Sequence, residues 1–298
     1  MTVELSSDFT SALRYHITSG SLSQSTIDHY TKAVRRCVAW RGNADLSTAT
    51  TEEIEHYLSD LAPSPKSAAG RRGDPLAPAT RRWHFAGLQA VFKWHAARES
   101  YADPMFKMRA PKVGETQKDV VPRAEILRVV DSLAQQRQYR DAALIILLAT
   151  VGIRAKNVVN LDWADVDWDA GMIRLDHTKN GDSGRTVPII PIAGKHLSLW
   201  RDRRRDKKAP YVFGSLRGKP GRLTRSGLLQ IVKKAFAAHS IPNIGPHVLR
   251  HSFATHYMDA NPDGTDTLKE IGGWKSDTMV RSYSKQGRAR RANEHFRT

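Results

Sequence analysis

Cysteine is almost missing from this chain of 298 residues: Cys37 is the single one. No internal disulfide can form, so the chain must hold its fold by packing, and a reducing compartment is expected. Cys37 stands in the run TIDHYTKAVRRCVAWRG, where a small core residue fits. Long apolar runs are lacking too. The longest, Ala142 to Val151, falls short of the roughly 18 residues a membrane span needs, and reads as a buried helix. No basic-then-apolar leader opens the chain. Together these absences lead us to expect a soluble, cytoplasmic protein with no membrane partner.

Negative charge is scarce, with 30 Asp+Glu against 47 Lys+Arg, a net of +17. Such an excess repels itself unless a polyanion uses it, so a nucleic-acid partner is expected. The excess is uneven: residues 1–110 hold 14 Lys+Arg against 11 Asp+Glu, and residues 111–298 hold 33 against 19. The densest cluster, WRDRRRDKK from Trp200 to Lys208, has no interleaved aromatics, which argues against a surface for stacking single strands. Metal-ligand patterns are missing as well. His247, His251 and His256 come without an HExxH, a Cys pair or a carboxylate at ligand spacing, so no metal site is expected.

From Ser6 to about Arg109 the apolar spacing is helical. Tyr30, Val34, Cys37 and Val38 form one stripe, and Thr50 followed by Glu52 and Glu53 starts another helix. Between them and a helix over Pro78 to Arg98 lies APSPKSAAGRRGDPLAP, a loop rich in Pro, Gly and Ser. Trp83, Leu88, Val91, Phe92 and Trp94 are expected in the core. Arg71 and Arg72 in the loop, Arg81 and Arg82 on the helix, and Arg203 and Arg204 in the basic cluster are the candidate contacts to a phosphate backbone. Lys107 to Lys118 has several breakers and no periodicity. The resulting division is a helical domain over 1–108, a linker over 109–119 and a second domain over 120–298. In that second domain the period shifts towards two from Val166 to Ile190, with short strands at Met172 to Asp176 and Arg185 to Ile189. Lys179 sits in the hairpin turn between them.

Six residues stand out in order: Arg154 after the apolar helix, Lys179 at the hairpin tip, His247-x-x-Arg250 on a helix opened by Pro246, Trp274 after Gly-Gly, and Tyr283. Two Arg, a Lys, a His and a Tyr suit a dianionic, pentavalent phosphoryl group attacked by a phenol; acyl and glycosyl chemistry ask for other residues. This ordered set resembles that of the tyrosine recombinase (phage integrase-like) family over nearly the whole chain, with a lean towards Xer-like or element-borne site-specific recombinases.

The resemblance implies a mainly α fold with a small antiparallel β-sheet in the C-terminal domain. It further implies a two-domain, C-shaped DNA clamp made of a helical core-binding domain and a catalytic domain. It assigns Tyr283 as the nucleophile giving a 3′-phosphotyrosyl link, Arg154 and Arg250 as phosphate clamps, and Lys179 as general acid. His247 becomes a proton acceptor or phosphate ligand, and Trp274, where many members have His, a hydrogen-bond donor. No cofactor, metal or ATP is then needed. The partners are double-stranded DNA recombination sites and further copies of the chain, a homo-tetramer in the synapse that passes through a Holliday junction and exchanges C-terminal tails. The tail KQGRARRANEHFRT, with Phe296, resembles the segment that docks on a neighbour. Two departures stand out: Asn157 occupies a position often acidic in the family, and the stretch from Asp259 to Thr267 is about one residue longer than usual. A type IB topoisomerase-like relaxing enzyme and a DNA-binding relative that no longer cuts remain as alternatives.

Overall fold

The computed structural model describes residues 15, 22–61, 76–97, 102–114, 119–175, 184–216, 221–274, 276, 277, 280 and 283. The chain divides into two compact units, Met1–Thr116 and Gln117–Thr298. Lys179, Arg71, Arg72 and the tail after Tyr283 lie outside the described residues.

The first unit is helical in its described part: α1 (Gln24–Trp40), α2 (Thr51–Ser59) and α3 (Pro78–Ala96). Ser23 caps α1, and Thr50 caps α2 in a reciprocal capping box with Glu53, as the TTEE start predicts. Their inward stripes bring Val34, Cys37, Ile54, Tyr57, Leu88 and Phe92 into one core. Burial of Cys37 matches the expectation of a small core residue, and burial pushes its thiol up to about 12, so it is inert at neutral pH. Trp83 and Trp94 differ from expectation: both are half-buried. The inward positions of α3 go instead to His84, Phe85 and His95 as well as the aliphatic residues, and Trp83 lies edge-on against His29 at 4.3 Å between ring centroids. A large indole at the border of a helix stripe covers the core with one face and leaves the other in water.

The second unit is built on α5 (Tyr139–Val151), in which 10 of 13 residues are buried, with α4 (Arg123–Gln135) before it. After the short α6 (Ala155–Asn160) come β1 (Val166–Asp167), β2 (Met172–Leu175) and β3 (Arg185–Pro188), then α7 (Pro191–Arg203), α8 (Arg225–Ala237), α9 (Pro246–Ala260) and α10 (Thr265–Gly272). The strands form a three-stranded antiparallel sheet in the order β1-β2-β3, with Val166 opposite Ile173 and Ile173 opposite Val187. These facing apolar residues are buried and turn one side of the sheet to the core. The fold is mainly α with a small antiparallel sheet, as the sequence predicts; the two-residue β1 is the one strand that its pattern does not single out. Helix α5 packs against α4, α7 and α9, so the segments leaving its C-terminus are held on several sides. No described helix is long and apolar enough to cross a membrane.

Candidate active site

Three chain reversals build the site. At the first, α5 ends at Gly152, whose φ of +63° is the left-handed conformation that L side chains avoid. A Cβ there would also run into the ring of Phe253. This corner places Arg154, exposed and in extended backbone, as the N-cap residue of α6.

The second reversal is the end of α10. Gly273, with φ +62°, turns the chain so that its N–H reaches Glu270 O (3.1 Å) and the Trp274 N–H reaches Lys269 O (3.0 Å). That cap fixes the direction in which Trp274 enters the core, where it is 5% exposed. The third element is α9. Its start at Pro246 leaves His247 exposed, while Arg250, one turn further, is 5% exposed.

Arg250 ties the two corners together. Its Nη1 donates to Gly152 O, and its Nη2 donates to Gly272 O at 2.8 Å. Its guanidinium carbon sits 4.0 Å from the centre of the Trp274 ring, a cation–π contact. Arg154 reaches the same corner from outside, with Nη2 donating to Gly273 O at 2.6 Å. Burial, then the charges of Arg154 and Arg185, push the Arg250 guanidinium down to about 9, which leaves it cationic at neutral pH.

Tyr283 closes the cluster. It is 2% exposed, with its ring 5.6 Å from Trp274 and 4.9 Å edge-on from His251. Burial raises its phenol above the usual range, and the Arg250 charge and a hydrogen bond from Trp274 act in the opposite direction. His251 is itself held by Thr255, whose Oγ1 is 3.3 Å from Nδ1. Arg154, Arg250, Trp274 and Tyr283, far apart in sequence, thus meet around one glycine corner.

The other predicted residues stand as follows. Arg82 is exposed and Arg81 half-buried on the first turns of α3, in the first unit. Arg203 is exposed, its guanidinium 5.8 Å from the Tyr139 ring. Arg204 is held by the fold: Nη1 and Nη2 donate to Ala209 O (2.9 Å) and Lys207 O (2.8 Å), and the group lies 4.8 Å from the Trp163 ring. Asn157 lies half-buried on α6, its backbone N–H bonded to Arg154 O. Among the described residues, no group of three or more His, Cys, Asp or Glu is arranged to hold a metal.

Two residues of the cluster are not among those predicted. His251 stands against Tyr283. Arg185, on β3, has its Nη1 so close to Gly273 that a Cβ on that residue would strike it. The alternation of RTVP carried a signal for the second, since it puts Arg185 on the same side of the strand as buried Val187.

Comparison with known proteins bears on the whole chain. Residues 119–290 match the phage integrase family, and residues 9–101 match the phage integrase N-terminal SAM-like domain. The tyrosine recombinase XerA of Thermococcus kodakarensis is 26% identical over 88% of this chain and 85% of its own length. The tyrosine recombinase XerD of Staphylococcus saprophyticus is 27% identical over 80% of this chain and 78% of its own. Among solved structures, the XerH site-specific recombinase bound to a palindromic difH substrate superimposes with a TM-score of 0.68 at 18% identity, over 90% of this chain and 78% of that one. The Tn1549 transposon integrase in complex with transposon right end DNA gives a TM-score of 0.70 at 17% identity, over 93% and 94%. With more than half of its length matched to one family and an Arg–Arg–Trp–Tyr cluster at the centre of that match, the chain belongs to the phage integrase family of tyrosine recombinases.

Proposed function

We propose that this chain is a site-specific DNA recombinase that cuts and rejoins strands by two successive transesterifications at Tyr283. The observation that carries the reading is the convergence of Tyr283, Trp274 and Arg250 in one buried cluster, with Arg154 joined to it through the Gly273 carbonyl. In the first step Tyr283 Oη bonds to the scissile phosphorus as the bond to the 5′-oxygen breaks. The products are a 3′-phosphotyrosyl link and a free 5′-hydroxyl. The phosphodiester energy is retained in the new ester, so the second step, attack by another strand's 5′-hydroxyl, needs no nucleotide.

The roles follow from chemistry. A phenol raised above its usual range has to lose its proton as it attacks, and His247 is the acceptor in this reading. An indole can only donate, so Trp274 steadies the phenolic oxygen and then a phosphate oxygen. Arg154 and Arg250 meet the charge that grows on the non-bridging oxygens, with a planar fork that Lys lacks. Lys179 gives a proton to the departing 5′-oxygen, because an alkoxide leaves poorly.

The assembly in this reading is a tetramer of protomers on two duplexes, joined through a Holliday junction. An apolar groove of about 200 Å³ in the second unit, lined by Ile126, Ile146, Ala149, Ile190, Phe253 and Tyr257, is a receptor for the tail of a neighbouring protomer. Incubation with a nicked duplex whose cleaved end diffuses away, followed by a denaturing gel, tests the chemistry. The chain should form a covalent adduct and Tyr283→Phe should form none. An adduct that persists in Tyr283→Phe would mean another nucleophile, and no adduct with either would mean a binding protein.

A further inference from the structure

Three guanidiniums meet at the Gly273 corner, where the resemblance accounts for two. One point in space beside the Gly273 Cα, where a side chain would begin, lies 3.3 Å from Arg154 Nη1 and closer still to Arg185 Nη1. No ion pair joins Arg154, Arg185 or Arg250 to a carboxylate among the described residues.

The three differ in what they do for the fold. Arg250 and Arg154 donate to backbone carbonyls of the corner. Arg185 does not: its Nε and Nη2 are buried and have no hydrogen-bond partner. A half-buried cation with unmet donors beside two like charges is costly to hold, so the fold gains nothing from it. Burial, and then the Arg154 charge, push its guanidinium down to about 10. The geometry points to what such an arrangement suits: two Nη1 atoms this close to one point can both donate to a single anionic oxygen.

We infer that Arg185 is a third phosphate-binding residue of the site, sharing a non-bridging oxygen of the scissile phosphate with Arg154. This rests on the recombinase reading above and adds a residue to it. In the pentavalent transition state both non-bridging oxygens carry increased charge, and cations already fixed in place stabilise it without reorganising. Arg185 also stands at the start of β3, six positions after Lys179 in the sequence, and β3 packs against α10.

The test uses the full chain with Arg185→Gln and Arg185→Lys, on the nicked duplex and on the same duplex with a methylphosphonate at the scissile position. Arg185→Gln should form adduct about 10² to 10³ more slowly on the phosphodiester, the usual loss when one preorganised donor is removed. On the methylphosphonate, which lacks the charge that Arg185 would meet, the deficit should shrink to less than about tenfold. Arg185→Lys should fall between. Without DNA, Arg185→Gln should melt no lower than the parent chain, because it removes an unmatched charge. In binding, the slope of log affinity against log salt should become shallower by about 0.9, the value for one phosphate contact. Equal slowing on both substrates, an unchanged adduct rate, or a lower Tm with an unchanged salt slope would each overturn the inference. If the parent chain forms no adduct at all, the recombinase reading fails, and the salt slope and Tm still decide whether Arg185 holds a phosphate.

Discussion

Arg250 combines two roles in one planar group. Through Nη1 and Nη2 it closes the corners at Gly152 and Gly272, and through its charge it faces Trp274 and Tyr283. A lysine keeps the charge and loses the fork, so it cannot span both carbonyls. Arg250→Lys should therefore lower stability by roughly 1–3 kcal/mol, because at least one buried carbonyl is left unmet, and slow adduct formation by about 10² or more. Urea unfolding and the nicked-duplex assay read the two effects separately; a stable variant with intact adduct formation would show that the double hydrogen bond is dispensable. Much of this cluster is legible from residue types and order alone, since Arg154, Arg250, Trp274 and Tyr283 do come together. What the three-residue spacing of His247 and Arg250 could not tell is their difference in burial. Both lie on one face of α9, but His247 is at the helix start on the surface and Arg250 is a turn further in, under two glycine carbonyls. Arg185 escapes for a similar reason. Its strand pattern shows that it points inward, yet only the packing of β3 against the Gly273 corner makes an inward arginine a neighbour of Arg154.

Helix α3 shows how an element takes on a pH dependence through one inward position. His84 is buried against Tyr57, whose hydroxyl lies 3.1 Å from Nδ1, and desolvation, aided by the Arg36 charge, brings the imidazole down to about 4 from 6.5. Between those two values the unfolded chain binds a proton that the folded chain refuses. The stability contributed by a neutral His84 is thus complete above about 6.5 and is lost progressively as the pH falls towards 4, by roughly 3 kcal/mol at most. His84→Gln, which has no proton to take up, should flatten that part of the profile. Urea titrations of the full chain and the variant from pH 7 down to about 4 check this, and parallel profiles would remove His84 as the cause. The apolar stripe of α3 predicts the helix and its burial of Leu88, Val91 and Phe92. It does not show that a histidine takes an inward place while Trp83 and Trp94 stay at the border, because that exchange depends on the Tyr57 hydroxyl supplied by α2.

At the scale of the whole molecule, charge and apolar surface divide the work of assembly. The excess of Lys and Arg is carried mostly by residues 111–298, which suits binding that is electrostatic and falls steeply with salt. Which DNA sequence is bound was not legible, because that depends on base-edge contacts and on the shape of the duplex rather than on charge. In the proposed tetramer contact between protomers is a separate matter, and that reading gives the apolar groove lined by Ile126, Phe253 and Tyr257 to a neighbour's tail. If the basic tail with Phe296 fills that seat on a neighbour, a chain truncated after Ser284 keeps its own Arg154, Arg250 and Tyr283 and should still form adduct on a nicked duplex with one half-site. It should fail to bring two full sites together, because each link around the synapse lacks its tether. Ile192→Glu changes the receiving side instead. It puts a charge into the groove wall at the first turn of α7, where a carboxylate suits the helix end and the fold is little disturbed. The two variants should share one phenotype, with adduct retained and the four-protomer complex lost, as read by light scattering on paired sites. Normal assembly by the truncated chain would show that the protomers meet elsewhere, whereas failure of Ile192→Glu alone would give the groove a different occupant.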